Sequence, residues 1–79
     1  MQTTRWQFRV KREDIHYLRT TIEAYDGMAV VRTADPLEEN EPGVAIIELL
    51  IAPGCEDMIS NLIGALRERE GIRLERIPA

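Results

Sequence analysis

Seventy-nine residues make one domain, spanning 1–79, with a single small core. Such a chain buries roughly 60% of its unfolded surface, so a stability of about 4–12 kcal/mol and support from a partner subunit are expected. With 44% hydrophobic and 30% charged residues the composition excludes intrinsic disorder, and a net charge of −4 argues against nucleic acid, whose affinity comes from neutralised phosphates.

Trp6, Phe8 and Val10 alternate with Gln7, Arg9 and Lys11, a period of two that predicts a half-buried strand. Arg12-Glu13-Asp14 then places carboxylates where a helix N-terminus is positive, and Ile15, Leu18, Ile22 and Tyr25 follow at helical spacing. Asp26-Gly27 closes that helix. Met28 to Ala34 predicts a second strand, and Asp35 to Gly43, with two prolines and an acidic run, a loop. Val44 to Ala52 is almost wholly apolar and predicts a central strand covered on both faces. Pro53-Gly54 opens a second helix with Met58, Ile59, Leu62, Ile63 and Leu66 as its buried stripe. Gly71 stops it, and Ile72 to Ile77 alternate as a last strand.

The order βαββαβ predicts an α+β, ferredoxin-like sandwich: a four-stranded antiparallel sheet, order 4-1-3-2, with both helices on one face. Strand parity sharpens this. Keeping Arg32 and Glu48 out of the core puts them opposite each other, with Val30 opposite Leu50 on the open face and Val31 opposite Leu49 on the core face. Met28, Val30, Arg32, Ile46, Glu48 and Leu50 are therefore the predicted interface of the open face. A homodimer or another protein partner is expected there, against the plainer alternative that Arg9, Arg32, Glu48, Arg73 and Glu75 keep the face wet.

Individual residues offer little chemistry, and no catalytic residue is assigned. One cysteine excludes an internal disulfide, and one histidine excludes a zinc cluster, so neither a metal site nor a cofactor is expected. Cys55 at a helix start is a candidate thiolate, but Glu56 and Asp57 oppose the shift and His16 is on the other helix. An incidental thiol is the plain reading, with a thiol enzyme or redox protein the third-ranked function. The Pro53-Gly54-Cys55 turn offers backbone N–H groups to an anion, as every helix start does. The acidic loop of Asp35, Glu38, Glu39 and Glu41 lacks the spacing of a calcium site. Trp6 and Tyr25 are expected in the core, and the central strands lack the open-face aromatics of an RNA-binding sheet. The longest apolar run is too short to cross a bilayer, and Met1 to Thr4 lacks a signal-peptide pattern; a cytoplasmic, non-membrane protein is the expectation.

The element order with Gly27, Pro53-Gly54 and Gly71 resembles the small ACT-like branch of ferredoxin-like domains. The run Arg12 to Leu18, with Tyr25-Asp26-Gly27 and Ala52-Pro53-Gly54, is similar to a family of short bacterial proteins known as a domain of unknown function, number 4911. The resemblance implies a fold and a bacterial cytoplasm. An ACT-like regulatory domain would also bind a small molecule, such as an amino acid, between subunits near Lys11, Arg12 and Asp14 or at Pro53, Gly54 and Cys55. The Lys11 to Asp14 loop has neither the glycine usual in ACT domains nor a proline. The leading expectation is a non-catalytic interaction or self-assembly module, with the ACT-like sensor as the alternative.

Overall fold

A computed structural model describes residues 3–25, 27–34 and 42–78. Strand β1 runs Thr4–Lys11, β2 Ala29–Ala34, β3 Val44–Ile51 and β4 Glu75–Ile77; helix α1 spans Ile15–Glu23 and α2 Glu56–Glu70. The strands form one antiparallel sheet in the order β2-β3-β1-β4, which is the expected 4-1-3-2 read from the other edge. The register is also the predicted one: Arg32 opposite Glu48, Val30 opposite Leu50, Val31 opposite Leu49.

One core explains the architecture. Phe8 and Val10 of β1, Ala29 and Val31 of β2, and Ile47, Leu49 and Ile51 of β3 share one side of the sheet. Leu18 and Ile22 from α1, and Ile59, Ile63 and Leu66 from α2, pack into the same cluster, so both helices lie on that side. The stripes at i, i+4 and i+7 supply apolar surface at about 25 cal/mol per Å2 buried, which outweighs the weak intrinsic stability of short helices. Gly71, with φ +66°, ends α2 in the left-handed region, and the Ile72 N–H reaches back to the Leu66 carbonyl at 3.2 Å. The Tyr17 hydroxyl donates to the Glu70 carboxylate and ties the two helices together, and that bond raises the Tyr17 pKa.

Several expectations need correction. Tyr25 is 41% exposed, because α1 ends at Glu23 and the helical period no longer governs a residue in the following turn. Met58 is 52% exposed, since the buried line is centred on Ile59, Ile63 and Leu66 and Met58 falls on its flank. Arg12–Asp14 forms a 3-10 turn ahead of α1. Strand β4 is shorter than predicted, pairing only with Gln7–Arg9 of β1, and Leu74 is buried just before it. Strand β3 is central but not covered on both sides: Ile46, Glu48 and Leu50 are half-buried on the face without helices. Asp26 and the acidic residues Asp35, Glu38, Glu39 and Glu41 lie outside the described residues.

The sheet edges are guarded. The β2 edge has its Val31 N–H bonded at 2.9 Å to the Glu23 carboxylate of α1, which removes a donor from an otherwise open edge. At the other edge Arg67 of α2 donates through both Nε, at 2.8 Å, and Nη2 to the Leu74 carbonyl, with its guanidinium 5.9 Å from the Phe8 ring centre. Arg76 lies over Trp6 at 4.7 Å, covering the half-buried indole.

Candidate functional site

Two surfaces gather the residues that sequence singled out. The first is the open sheet face. Its rows follow from the register: Val30, Leu50 and Arg5; then Arg32, Glu48, Gln7 and Ile77; then Ala34, Ile46, Arg9 and Glu75. Each row crosses the sheet perpendicular to the strands, so neighbours stand about 5 Å apart and opposite charges can pair. They do. Arg32 Nη2 lies 3.0 Å from Glu48 Oε1, and Gln7 Nε2 donates to Glu48 Oε2 at 3.4 Å. Arg9 Nη1 lies 2.8 Å from Glu75 Oε1, and Arg73 Nη2 is 3.6 Å from Glu75 Oε2.

The pairing changes the character of the face. Charges that satisfy one another across strands need less water than isolated ones, and they frame an apolar corner of Val30 and Leu50. Val30 is 52% exposed there, although its strand neighbours Ala29 and Val31 are buried. Met28 does not join this row. It precedes β2, and its half-buried side chain packs against the core cluster.

The Arg9 hydrogen bond, aided by the charge of Arg73, holds the Glu75 carboxyl below its ordinary value of 4.5. A depressed folded-state value adds stability above pH 4.5, and that share is lost as pH falls through the folded value. Arg9→Gln is therefore expected to flatten the acid limb of the stability curve below pH 4.5 while changing its slope little at neutral pH. Urea titrations of both chains across that range check this; parallel curves would contradict it.

The second surface is a cleft of about 620 Å3 at the end of the sheet where β1 leaves and β3 enters. Among the described residues Lys11, Arg12, Glu13, Pro42, Gly43, Val44 and Arg73 line it. The Arg12 N–H donates to the Gly43 carbonyl at 2.8 Å and joins two of the segments that line the cleft. Gly43, with φ +76°, makes the tight entry into β3 that brings this carbonyl within reach. Asp14, the third residue expected beside Lys11 and Arg12, is half-buried and does not line the cleft. Pro42, Gly43 and Arg73 escaped sequence reading because they arrive from segments far along the chain. The pairing of Lys11 with Val44 brings Pro42 and Gly43 there, and the pairing of Arg9 with Glu75 brings Arg73.

Pro53, Gly54 and Cys55 lie at the opposite end of the sheet, beyond Ile51, about 23 Å from Lys11 by the rise of a strand. They cannot share a site with Lys11 and Arg12. The turn there is internally satisfied: the Gly54 N–H donates to Glu56 Oε1 at 3.0 Å, and Thr4 Oγ1 donates to Glu56 Oε2 at 2.7 Å. These bonds, Thr4 first, hold the Glu56 carboxyl below its ordinary value. Cys55 is half-buried against the core cluster. His16 sits in the first turn of α1, at the Lys11 end of the sheet, so thiol and imidazole are at opposite ends of the molecule. Among the described residues no three His, Cys, Asp or Glu side chains gather as a metal site, and no helix is long and apolar enough to cross a membrane.

No curated protein and no solved structure matches the chain. A family model described as Domain of unknown function (DUF4911) matches residues 8–69, from the middle of β1 almost to the end of α2. That span holds most of the chain, including Lys11, Arg12, Gly43 and the whole of β2 and β3, and the protein belongs to this family.

Proposed function

We propose that this protein is a non-catalytic self-assembly module whose open sheet face meets the same face of a second copy. The observation that carries the reading is the exposed Val30 beside Leu50, with Arg5 at the end of their row and the paired charges of Arg32 and Glu48 in the next. A face of this kind suits a two-fold partner. Two rows each carry one Arg beside one Glu, an arrangement that can meet its own copy with opposite charges facing when one sheet is turned over onto another, and closed two-fold pairs are the commonest oligomers.

Size sets the expected strength. Four strands of up to eight residues give a flat footprint of about 15 Å by 25 Å, or about 400 Å2 per copy. That places the pair in the weak, small-interface class. Sedimentation over a concentration series tests the reading. The average mass of the wild-type chain should rise above 9.1 kDa as concentration increases, and Leu50→Glu, which buries a charge at the apolar corner, should stay monomeric. A wild-type chain that never departs from the monomer, or a Leu50→Glu chain that associates equally well, would refute it.

A further inference from the structure

On the helix side of the sheet a groove runs between α2 and the β1–β4 edge. Trp6 and Phe8 of β1, Ser60, Ile63 and Arg67 of α2, and Arg76 of β4 line its volume of about 210 Å3. Ser60, Ile63 and Arg67 follow one another at i, i+3 and i+7, which sets them along one flank of the helix. Arg76 stands opposite Phe8 in the sheet, so strand pairing delivers one guanidinium to the groove and the helix delivers the other.

Both guanidiniums are held by aromatic rings rather than by carboxylates. Arg76 lies over Trp6 at 4.7 Å and Arg67 over Phe8 at 5.9 Å, and among the described residues neither forms an ion pair. A ring contact engages the face of a guanidinium and leaves the in-plane N–H groups at its edge to donate. Arg67 gives Nε and Nη2 to the Leu74 carbonyl and keeps Nη1. Arg76 makes no hydrogen bond to a described residue, so its whole fork remains. Ser60 adds a hydroxyl from the exposed side of α2.

This donor set suits phosphate. A tetrahedral anion offers oxygens in several directions to donors that arrive from separate segments, whereas a carboxylate offers two in one plane. The groove is smaller than the roughly 300 Å3 at which sites for larger organic ligands begin, so a nucleotide does not fit within it. Buried Phe8 and Ile63 give it an apolar wall against which a short carbon chain packs.

We propose that the Arg67–Arg76 groove binds a phosphate group, free or in a small monoester, with both guanidiniums and the Ser60 hydroxyl as donors. The site lies within one chain and on the side of the sheet away from the open face, so it does not depend on self-association.

Trp6 is the only tryptophan of the chain and lies under Arg76, so its fluorescence reports on the groove. Titrations at constant ionic strength with inorganic phosphate, glycerol phosphate and acetate test the proposal, with amide NMR shifts at Ser60, Ile63 and Arg67 as a second readout. At least one of the two phosphates should bind saturably with a Kd of about 1 mM or tighter, and acetate should not. Tighter binding of glycerol phosphate marks a monoester ligand, and tighter binding of inorganic phosphate marks the free ion. Arg76→Gln should weaken binding about tenfold or more, and Ser60→Ala about threefold, through loss of charge-assisted hydrogen bonds. Ser60→Ala leaves both the Arg76–Trp6 contact and β4 in place, so it remains decisive where Arg76→Gln disturbs the edge strand. Arg69→Gln, which removes a like charge from the exposed end of α2, should leave binding unchanged. Saturable binding of neither phosphate would overturn the proposal. So would acetate binding as tightly as phosphate, unchanged affinity in Ser60→Ala, or equal weakening by Arg69→Gln.

Discussion

Leu49→Ala should remove about 3 kcal/mol of stability, whereas Leu50→Ala, one residue along the same strand, should remove about 1 kcal/mol. The two side chains are chemically identical and differ only in the face to which strand parity assigns them. Leu49 is fully buried between Trp6 on β1 and Val31 on β2, facing the helices. Truncation there loses the transfer free energy of the removed methyl groups and leaves a cavity that neighbouring strands cannot close. Leu50 is half-buried on the open face, where water fills the vacated space. For a domain of this size, 3 kcal/mol lowers the melting temperature by about 15 °C and consumes a large part of the total stability. Chemical denaturation at a concentration low enough to keep the chains monomeric measures both. Equal losses would mean that the two faces are buried alike, and the open face of the sheet would have to be abandoned.

The second large effect is expected at Arg67. Its guanidinium donates twice to the Leu74 carbonyl and lies over Phe8, so it fastens the segment before β4 to α2. Strand β4 is only Glu75–Ile77 and pairs with three residues of β1, too little to hold the edge by itself. Arg67→Ala leaves a part-buried carbonyl without its donors, at a cost of about 1–2 kcal/mol, and should release β4. Arg67→Lys should recover only part of this, because an ammonium cannot fork onto one oxygen while stacking on a ring. Hydrogen exchange separates this local effect from a global one. Amides of Gln7–Arg9 that face β4 should lose protection in the alanine variant, while those paired with β3 keep theirs. Uniform loss across the sheet would assign Arg67 a role in global stability instead.

The two effects bear differently on the two candidate surfaces. Leu49 supports the whole sheet, and so both the open face and the cleft. Arg67 supports the β4 edge, which supplies Glu75 to the charged rows and follows directly on Arg73 at the cleft. A chain lacking Arg67 should therefore lose the Glu75 contact of the charged rows while its β2–β3 corner, with Val30 and Leu50, stays intact.

Alternation and glycine placement determined the element order, the right-handed crossover rule the strand order, and the two charges at Arg32 and Glu48 the β2–β3 register. A period of two in β1 and charges at Arg32 and Glu48 admit only one set of core faces. They also determined which open-face residues align, apart from Met28, because position in a strand dictates direction only once the strand has begun. The early end of α1, which leaves Tyr25 exposed, and the shortness of β4 were not legible, since both depend on which neighbours remain to be paired rather than on local periodicity. The cleft was legible only at Lys11 and Arg12. Gly43 and Arg73 reach it through the antiparallel pairing of β1 with β3 and β4, a long-range juxtaposition that no local pattern encodes. Local sequence thus decided which way the side chains within the paired strands point, and tertiary structure decided where the elements end and which distant charges came to share one cavity.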